Sequence, residues 1–200
     1  MERNLPPFCH CCGRRLQKGQ LAKNACPACV RKRLHFDRAF SPYVYAGTVR
    51  ELIRQFKYKN KARLGDFLGK EMCAFIKEYR VPIGFMDYIC PVPLSGSRLR
   101  EREFNQARAL GDCVAREFSK PLRDNLIIRQ RHTAAQALLP PEGRFANVKG
   151  SFGVADIAEV NGRNILLIDD VLTTGATCSE AASALKQAGA NVVFVLTLAN

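Results

Sequence analysis

Apolar and polar positions alternate along most of the chain with two distinct periods. Residues 40–46 alternate every second position, as a strand does, whereas 48–58 place Leu52, Ile53 and Phe56 on one helical face. Residues 64–79 repeat the helical spacing with Phe67, Leu68, Met72, Phe75 and Ile76. A short strand is predicted over 88–92, ending in Pro91-Val92-Pro93, then a helix over 104–118 and a strand over 125–128. Residues 129–148 lose periodicity and read as a long polar loop, of the kind that in compact domains is usually functional or mobile. Beyond it, the apolar run 163–168 enters Asp169-Asp170, a helix follows over 177–188 with Gly189 as its C-cap, and 191–198 read as a buried strand. Strand, helix and strand in that order predict a parallel βαβ unit with a right-handed crossover, hence an α/β fold.

The first 33 residues break this pattern, being rich in Cys, Lys, Arg and Gly and poor in large apolar side chains. We place a boundary near residue 34, with a small unit over 1–33 and one α/β domain over 34–200. A chain of 200 residues, 47% hydrophobic and 24% charged, supports one core plus an appendage that needs its own staple. No stretch approaches the ~18 apolar residues of a spanning helix, and the start offers no apolar run for a signal peptide. The expectation is a cytoplasmic protein without a membrane span.

Nine cysteines, an odd number, argue against a complete disulfide framework. Cys9-His-Cys-Cys12 and Cys26-Pro-Ala-Cys29 form two Cys-x2-Cys knuckles thirteen residues apart, which suit a closed tetrahedral structural zinc site of Cys9, Cys12, Cys26 and Cys29. Cys11 shifts the register in an alternative set, and His10 is an alternative donor. Cys73, Cys90, Cys113 and Cys178 lie in apolar segments and read as small buried hydrophobes.

The formal charge of +13 is uneven, because residues 1–80 hold 18 Lys/Arg against 6 Asp/Glu while the remainder is nearly balanced. A basic face of this size suits a nucleic acid or another polyanion. Its candidate residues are Arg50, Arg54, Lys57, Lys59, Lys61 and Arg63.

The run Ile165-Leu-Leu-Ile-Asp-Asp-Val-Leu-Thr-Thr-Gly-Ala-Thr177 carries the most chemistry. A buried strand delivers two carboxylates to the carboxyl edge of the sheet, where ligands of open α/β folds bind. Behind them Thr173, Thr174, Gly175 and Thr177 form a hydroxyl-rich turn at a helix start, fit to cradle a phosphate. Two acids beside a phosphate cradle make sense when they face sugar hydroxyls or a metal ion. All thirteen positions resemble the binding signature for phosphoribosyl pyrophosphate (PRPP) in type I phosphoribosyltransferases.

That resemblance implies that Asp169 and Asp170 bind the ribose hydroxyls, as the catalytic carboxylates. It also implies that Val171, Leu172, Thr173, Thr174, Gly175, Ala176 and Thr177 enclose the 5-phosphate, and that Mg2+ is held mainly by ligand oxygens. The chemistry of that family is displacement of pyrophosphate from C1 of the ribose by a nitrogen nucleophile.

A second cluster offers Pro93, Leu94, Arg98, Arg100 and Arg102 before Glu103-Phe104-Asn105-Gln106, and arginines so spaced suit an oxyanion. The segment 129–148 adds Arg129, Arg131, Thr133 and Gln136, then Arg144-Phe-Ala-Asn147. His132 reads as an exposed hydrogen-bonding side chain rather than a base. Together with the knuckles and the stretch from Tyr45 to Lys57, these segments make the chain resemble the ComF family associated with DNA uptake and natural transformation. One departure stands out: Glu103 occupies a position where that family usually has Gly, which adds charge beside Arg102 and removes an easy φ > 0 conformation.

The resemblance implies a type I phosphoribosyltransferase domain behind a four-cysteine zinc ribbon, with PRPP and single-stranded DNA as partners. The resemblance also implies a competence helicase or uptake machinery as protein partner; the chain itself has no Gly-x-x-x-x-Gly-Lys-Ser/Thr run. Two other readings stand beside it: an active transferase on a nucleobase or amine, and a PRPP-sensing regulator that binds nucleic acid. Fold alone does not choose among them.

Overall fold

The computed structural model describes residues 1–32, 34–58, 62–131 and 139–200, and of 58, 62 and 63 only the backbone. Four parallel strands, β1 (Arg38–Phe40), β2 (Tyr88–Pro91), β5 (Asn164–Val171) and β6 (Val192–Ala199), form a sheet in the order β1-β6-β5-β2. An antiparallel pair, β3 (Ile127–Arg129) with β4 (Phe152–Val154), stands apart from it.

The apolar run of β5 is continuous because both faces of the sheet are covered. Ile165 and Leu167 point into one cluster with Val193, Val195, Ala181 and Leu185, the last two from α8 (Ala176–Gln187). Leu166 and Ile168 point into the other, with Ile53 and Phe56 of α2 (Gly47–Tyr58), Met72 of α3 (Ala62–Glu78) and Leu110 of α5 (Gln106–Glu117). The period of two along the strand therefore sorts one sequence run into two cores.

Several boundaries depart from the sequence expectation for physical reasons. The strand expected over 40–46 is instead β1, because Pro42 has no N–H for a ladder and the chain past Phe40 makes isolated bridges from Tyr43 to Arg3 and to Ala199 in place of a continuous ladder. Phe67 was placed on the buried face of α3, but Leu68, Met72, Phe75 and Ile76 fill that face and Phe67 is 44% exposed. The arginine cluster that carries Arg98, Arg100 and Arg102 forms α4 (Gly96–Arg102). Within 129–148, residues 143–148 form α6 (Gly143–Val148), whose Val148 is buried. Two further short helices, α1 (Pro27–Arg31) and α7 (Ile157–Val160), are too brief to show a period.

The cysteine-bearing segment packs directly on the sheet. Cys9, Cys12, Leu16, Ala25 and Cys26 belong to the same hydrophobic cluster as Ile165 and Val195. Gly13 sits at φ +70, and a Cβ there would lie 2.4 Å from the Ala39 carbonyl oxygen, so only glycine allows the approach.

Glu103 caps α4 at φ 67, the left-handed conformation that a glycine adopts without penalty, and it is exposed. Glu103→Gly is therefore expected to stabilise the fold by about 0.5–1 kcal/mol, which at this size raises Tm by about 1–4 °C. A thermal melt that shows no gain, or a loss, would contradict this account of the α4–α5 junction.

Candidate functional site

At the carboxyl end of β5 the backbone carries Asp169 and Asp170 side by side, with the Asp170 N–H donating to Asp169 Oδ1 at 2.8 Å. Burial, and next the neighbouring Asp170 charge, push the Asp169 carboxyl up to about 7. The Cys178 thiol of α8 donates to its other oxygen at 3.6 Å. That thiol is itself held well above its usual range by burial and by Asp169, which leaves it a hydrogen-bond donor rather than a nucleophile.

Asp170 pairs with Lys57, whose Nζ lies 2.9 Å from Asp170 Oδ2. Burial works against the Lys57 ammonium, but Asp170 outweighs it and holds the proton more firmly than usual. Lys57 was assigned to an open nucleic-acid face from the charge pattern. The structure instead turns it inward, four residues after Ile53 on the buried face of α2. That i+4 spacing was the signal available in the sequence.

Past the carboxylates the chain turns through 171–175 into α8, with Gly175 at φ +79 as the N-cap. A recess there is lined by Arg144 and by residues 171–178. Arg144 Nη1 donates to Thr173 Oγ1 at 3.0 Å, and Arg14 Nη2 donates to the Thr173 carbonyl at 2.8 Å. Both arginines approach from outside the strand-turn-helix run; in the sequence Arg144 is noted only with the segment 129–148, without a role, and Arg14 is not singled out.

The arginine-bearing segment after β2 converges on the same edge. Asn105 caps α5 by accepting from the Ala107 N–H, and it donates to the Val92 carbonyl at 3.1 Å. Buried Gln106 accepts from Arg102 Nη1 at 3.1 Å and donates to the Lys57 carbonyl at 3.4 Å, tying α4 to the end of α2. Arg129 lies over the Phe152 ring at 5.2 Å, and burial, then the Arg98 charge, lower its affinity for its proton. Arg129 thus lies within reach of Asp169's charge, Arg98 lies close to Arg129, and Arg102 lies close to Lys57. Arg100 is exposed on α4, and Arg131 donates to the Lys149 carbonyl away from them. Pro93 and Leu94 line the outer side of the α4–α5 junction. Thr133, Gln136 and His132 lie outside the described residues.

The phosphoribosyl transferase domain family matches residues 105–200. Over 175 residues the chain is 30% identical to the DNA utilization protein YhgH of Escherichia coli, covering 86% of this chain and 76% of that protein. The chain belongs to the ComF family. Competence protein F of Haemophilus influenzae is 29% identical over 96% of this chain and 84% of its own length, and Competence protein ComFC of Bacillus subtilis 28% over 90% and 78%. The α/β part of this ComF protein is a phosphoribosyltransferase domain.

In front of that domain, the sulfurs of Cys9, Cys12, Cys26 and Cys29 all lie within 4.8 Å of one another, a cluster that could hold a metal ion such as zinc. The Cys26 N–H donates to Cys9 Sγ at 3.4 Å, as a thiolate ligand accepts. Hydrogen bonds from Cys12 and Cys29 push the Cys9 thiol far down, while those with Cys11, Cys12 and Cys9 push Cys29 far up. Four thiols this close cannot all ionise without a cation between them, so the donor set fits a metal. His10 Nδ1 donates to the Asn24 carbonyl at 2.6 Å, outside the tetrad.

The proposed basic face of this ComF chain is only partly in view. Arg50 is exposed and Arg54 pairs with Glu51 at 3.0 Å, whereas Lys59, Lys61 and the Arg63 side chain lie outside the described residues. Arg15, Lys18, Lys23, Arg31 and Lys32 of the cysteine-bearing segment are exposed.

Asp169 has a pH consequence with a definite sign. The folded state holds this proton to about pH 7, well above the ordinary value of 3.8, so folding takes up a proton in between and stability falls as pH rises through that window. Asp169→Asn removes the effect. Its melting temperature, measured against the parent at zinc saturation, is expected to gain steadily from about pH 5.5 to about pH 7 and then level off. Parallel pH curves for the two proteins would overturn this assignment.

Proposed function

We propose that this ComF protein binds PRPP at the end of β5 and serves the handling of single-stranded DNA taken up into the cytoplasm. One observation carries the ligand: paired carboxylates and a glycine-capped, hydroxyl-lined helix start share one sheet edge, which matches a sugar diol joined to a phosphate. In this reading Asp169 and Asp170 accept the ribose 2- and 3-hydroxyls, and residues 171–177 enclose the 5-phosphate. Arg98 and Arg102 face the pyrophosphate, and Arg129 closes from the other side. The pyrophosphate and ribose oxygens would hold Mg2+, whose charge favours departure of pyrophosphate. Cys9, Cys12, Cys26 and Cys29 would hold a structural zinc ion.

The names of the relatives, competence protein and DNA utilization protein, support the DNA half of the reading. So do the exposed cations of the cysteine-bearing segment. A second reading, an active transferase, is favoured by the intact carboxylate and phosphate elements. A nitrogen nucleophile would form its bond to C1 of the ribose as the C1–oxygen bond breaks, and pyrophosphate would leave with the electron pair.

Calorimetry with PRPP and Mg2+ is expected to give micromolar to millimolar affinity, roughly −8 to −4 kcal/mol. Asp169→Ala with Asp170→Ala should abolish it. Silence from the parent, or unchanged binding by the double variant, would sink the ligand assignment. Pyrophosphate release with a panel of bases separates the transferase reading from simple binding.

Single-stranded DNA is expected to bind with little sequence preference. Contact with roughly four phosphates gives a log K against log salt slope of about −3. Fluorescence anisotropy at several salt concentrations measures it, and reversing Lys18, Lys23 and Arg31 should weaken the complex without touching PRPP binding. Salt-independent binding, or none at low salt, would exclude this surface.

A further inference from the structure

We propose that the phosphate recess is completed by two guanidinium groups from outside the strand-turn-helix run, with Arg144 as a direct ligand of the 5-phosphate and Arg14 as a positioning residue. The proposal rests on the PRPP reading above and adds to it residues that the signature does not contain.

Arg144 lines the recess together with residues 171–178. It projects from α6, which lies against α8 and is anchored by buried Val148. Its Nε donates to the Leu139 carbonyl at 3.1 Å while Nη1 reaches Thr173 Oγ1 at 3.0 Å, so the guanidinium is oriented rather than swinging free. A fork held in this way over a helix start suits a phosphate dianion, to which it donates in parallel with the backbone N–H groups.

Arg14 acts on the same residue through that residue's backbone. Its side chain donates to the Thr173 carbonyl at 2.8 Å, and among the described residues it pairs with no carboxylate. The turn that carries it is locked: Cys9 N donates to the Arg14 carbonyl at 2.7 Å, and Ala39 N donates to the Cys11 carbonyl at 2.7 Å. In a planar trans peptide the N–H points away from the C=O. Fixing the Thr173 carbonyl towards the cysteine segment therefore fixes the Thr174 N–H away from it. Leu34 adds a second point of contact, since a Cβ on Gly175 would lie 3.4 Å from its side chain. Both guanidinium groups bring positive charge to Thr173, and an anion bound in the recess offsets it.

The test uses the zinc-loaded full chain, with ribose 5-phosphate and inorganic pyrophosphate titrated separately with Mg2+ present. Arg144→Ala is expected to weaken ribose 5-phosphate binding by about 10- to 100-fold while leaving pyrophosphate within about twofold, and Arg144→Lys to recover part of the loss. Arg14→Ala should weaken ribose 5-phosphate by about 3- to 10-fold with zinc stoichiometry, Tm and pyrophosphate binding unchanged. If the parent binds ribose 5-phosphate and Arg144→Ala binds it as tightly, the recess is complete without Arg144 and this proposal falls while the PRPP reading stands. Equal loss of both ligands in the alanine variants would also overturn it, as a general disturbance of the site. A parent that binds neither ribose 5-phosphate nor PRPP removes the PRPP reading itself.

Discussion

Asp169 and Asp170 stand together where β5 leaves the core, and like charges that close in a poorly hydrated place oppose each other's ionisation. The fold answers with three groups from three different elements. Lys57 from α2 balances Asp170 at 2.9 Å, Cys178 from α8 donates to Asp169, and Asp169 holds its own proton to about neutrality. Each answer depends on packing some distance away. Lys57 reaches the acids because Ile53 and Phe56 bury the same side of α2, and its carbonyl is tied to Gln106. A ligand that offers hydroxyl donors to these oxygens would substitute for water that the buried strand end excludes.

The placement of the turn beside the acids follows from connectivity. In a parallel sheet the strand that ends in the acids must be followed by a crossover, so the N-terminus of α8 emerges at the same edge as Asp169 and Asp170. Gly175, at φ +79, makes the reversal from strand to helix without side-chain strain. Carboxylates and a positive helix end are thereby held within one short turn, and α8 is fixed by its burial against Ile165 and Leu167. The core that folds the domain and the candidate site share the same two elements.

How much of this could be read from the sequence differs sharply between residues. The run 165–177 was legible because the strand, acids, turn and helix start are contiguous, and contiguous chemistry survives in a linear pattern. Helical period found α2, α3 and α5 for the same reason, and the cysteine spacing pointed to the tetrad. Lys57 and Arg14 were not assigned to the site, and Arg144 was noted with the segment 129–148 without a role, since their partners lie 113, 159 and 29 residues away and tertiary packing alone sets the pairing. Lys57 shows the hazard of reading charge without phase. It sits in a basic run, but its place on the apolar face of α2 determines which way it points.

The position of the cysteine segment ahead of the domain has an energetic reason as well. A stretch with so few large apolar residues cannot bury enough surface to order itself, and a metal bound by four thiolates supplies folding free energy that a core cannot. Here that free energy is not spent on an isolated appendage. β1 is an edge strand of only three residues, and an uncovered edge exposes backbone donors and acceptors. The Ala39 N–H, which faces away from β6, is satisfied by the Cys11 carbonyl, and the Cys12 carbonyl accepts from Asn200. A metal that fixes the first knuckle would therefore fix the edge of the sheet as well. Because the next residues, Gly13 and Arg14, lie between that edge and Thr173, the same ordering extends to the turn after β5.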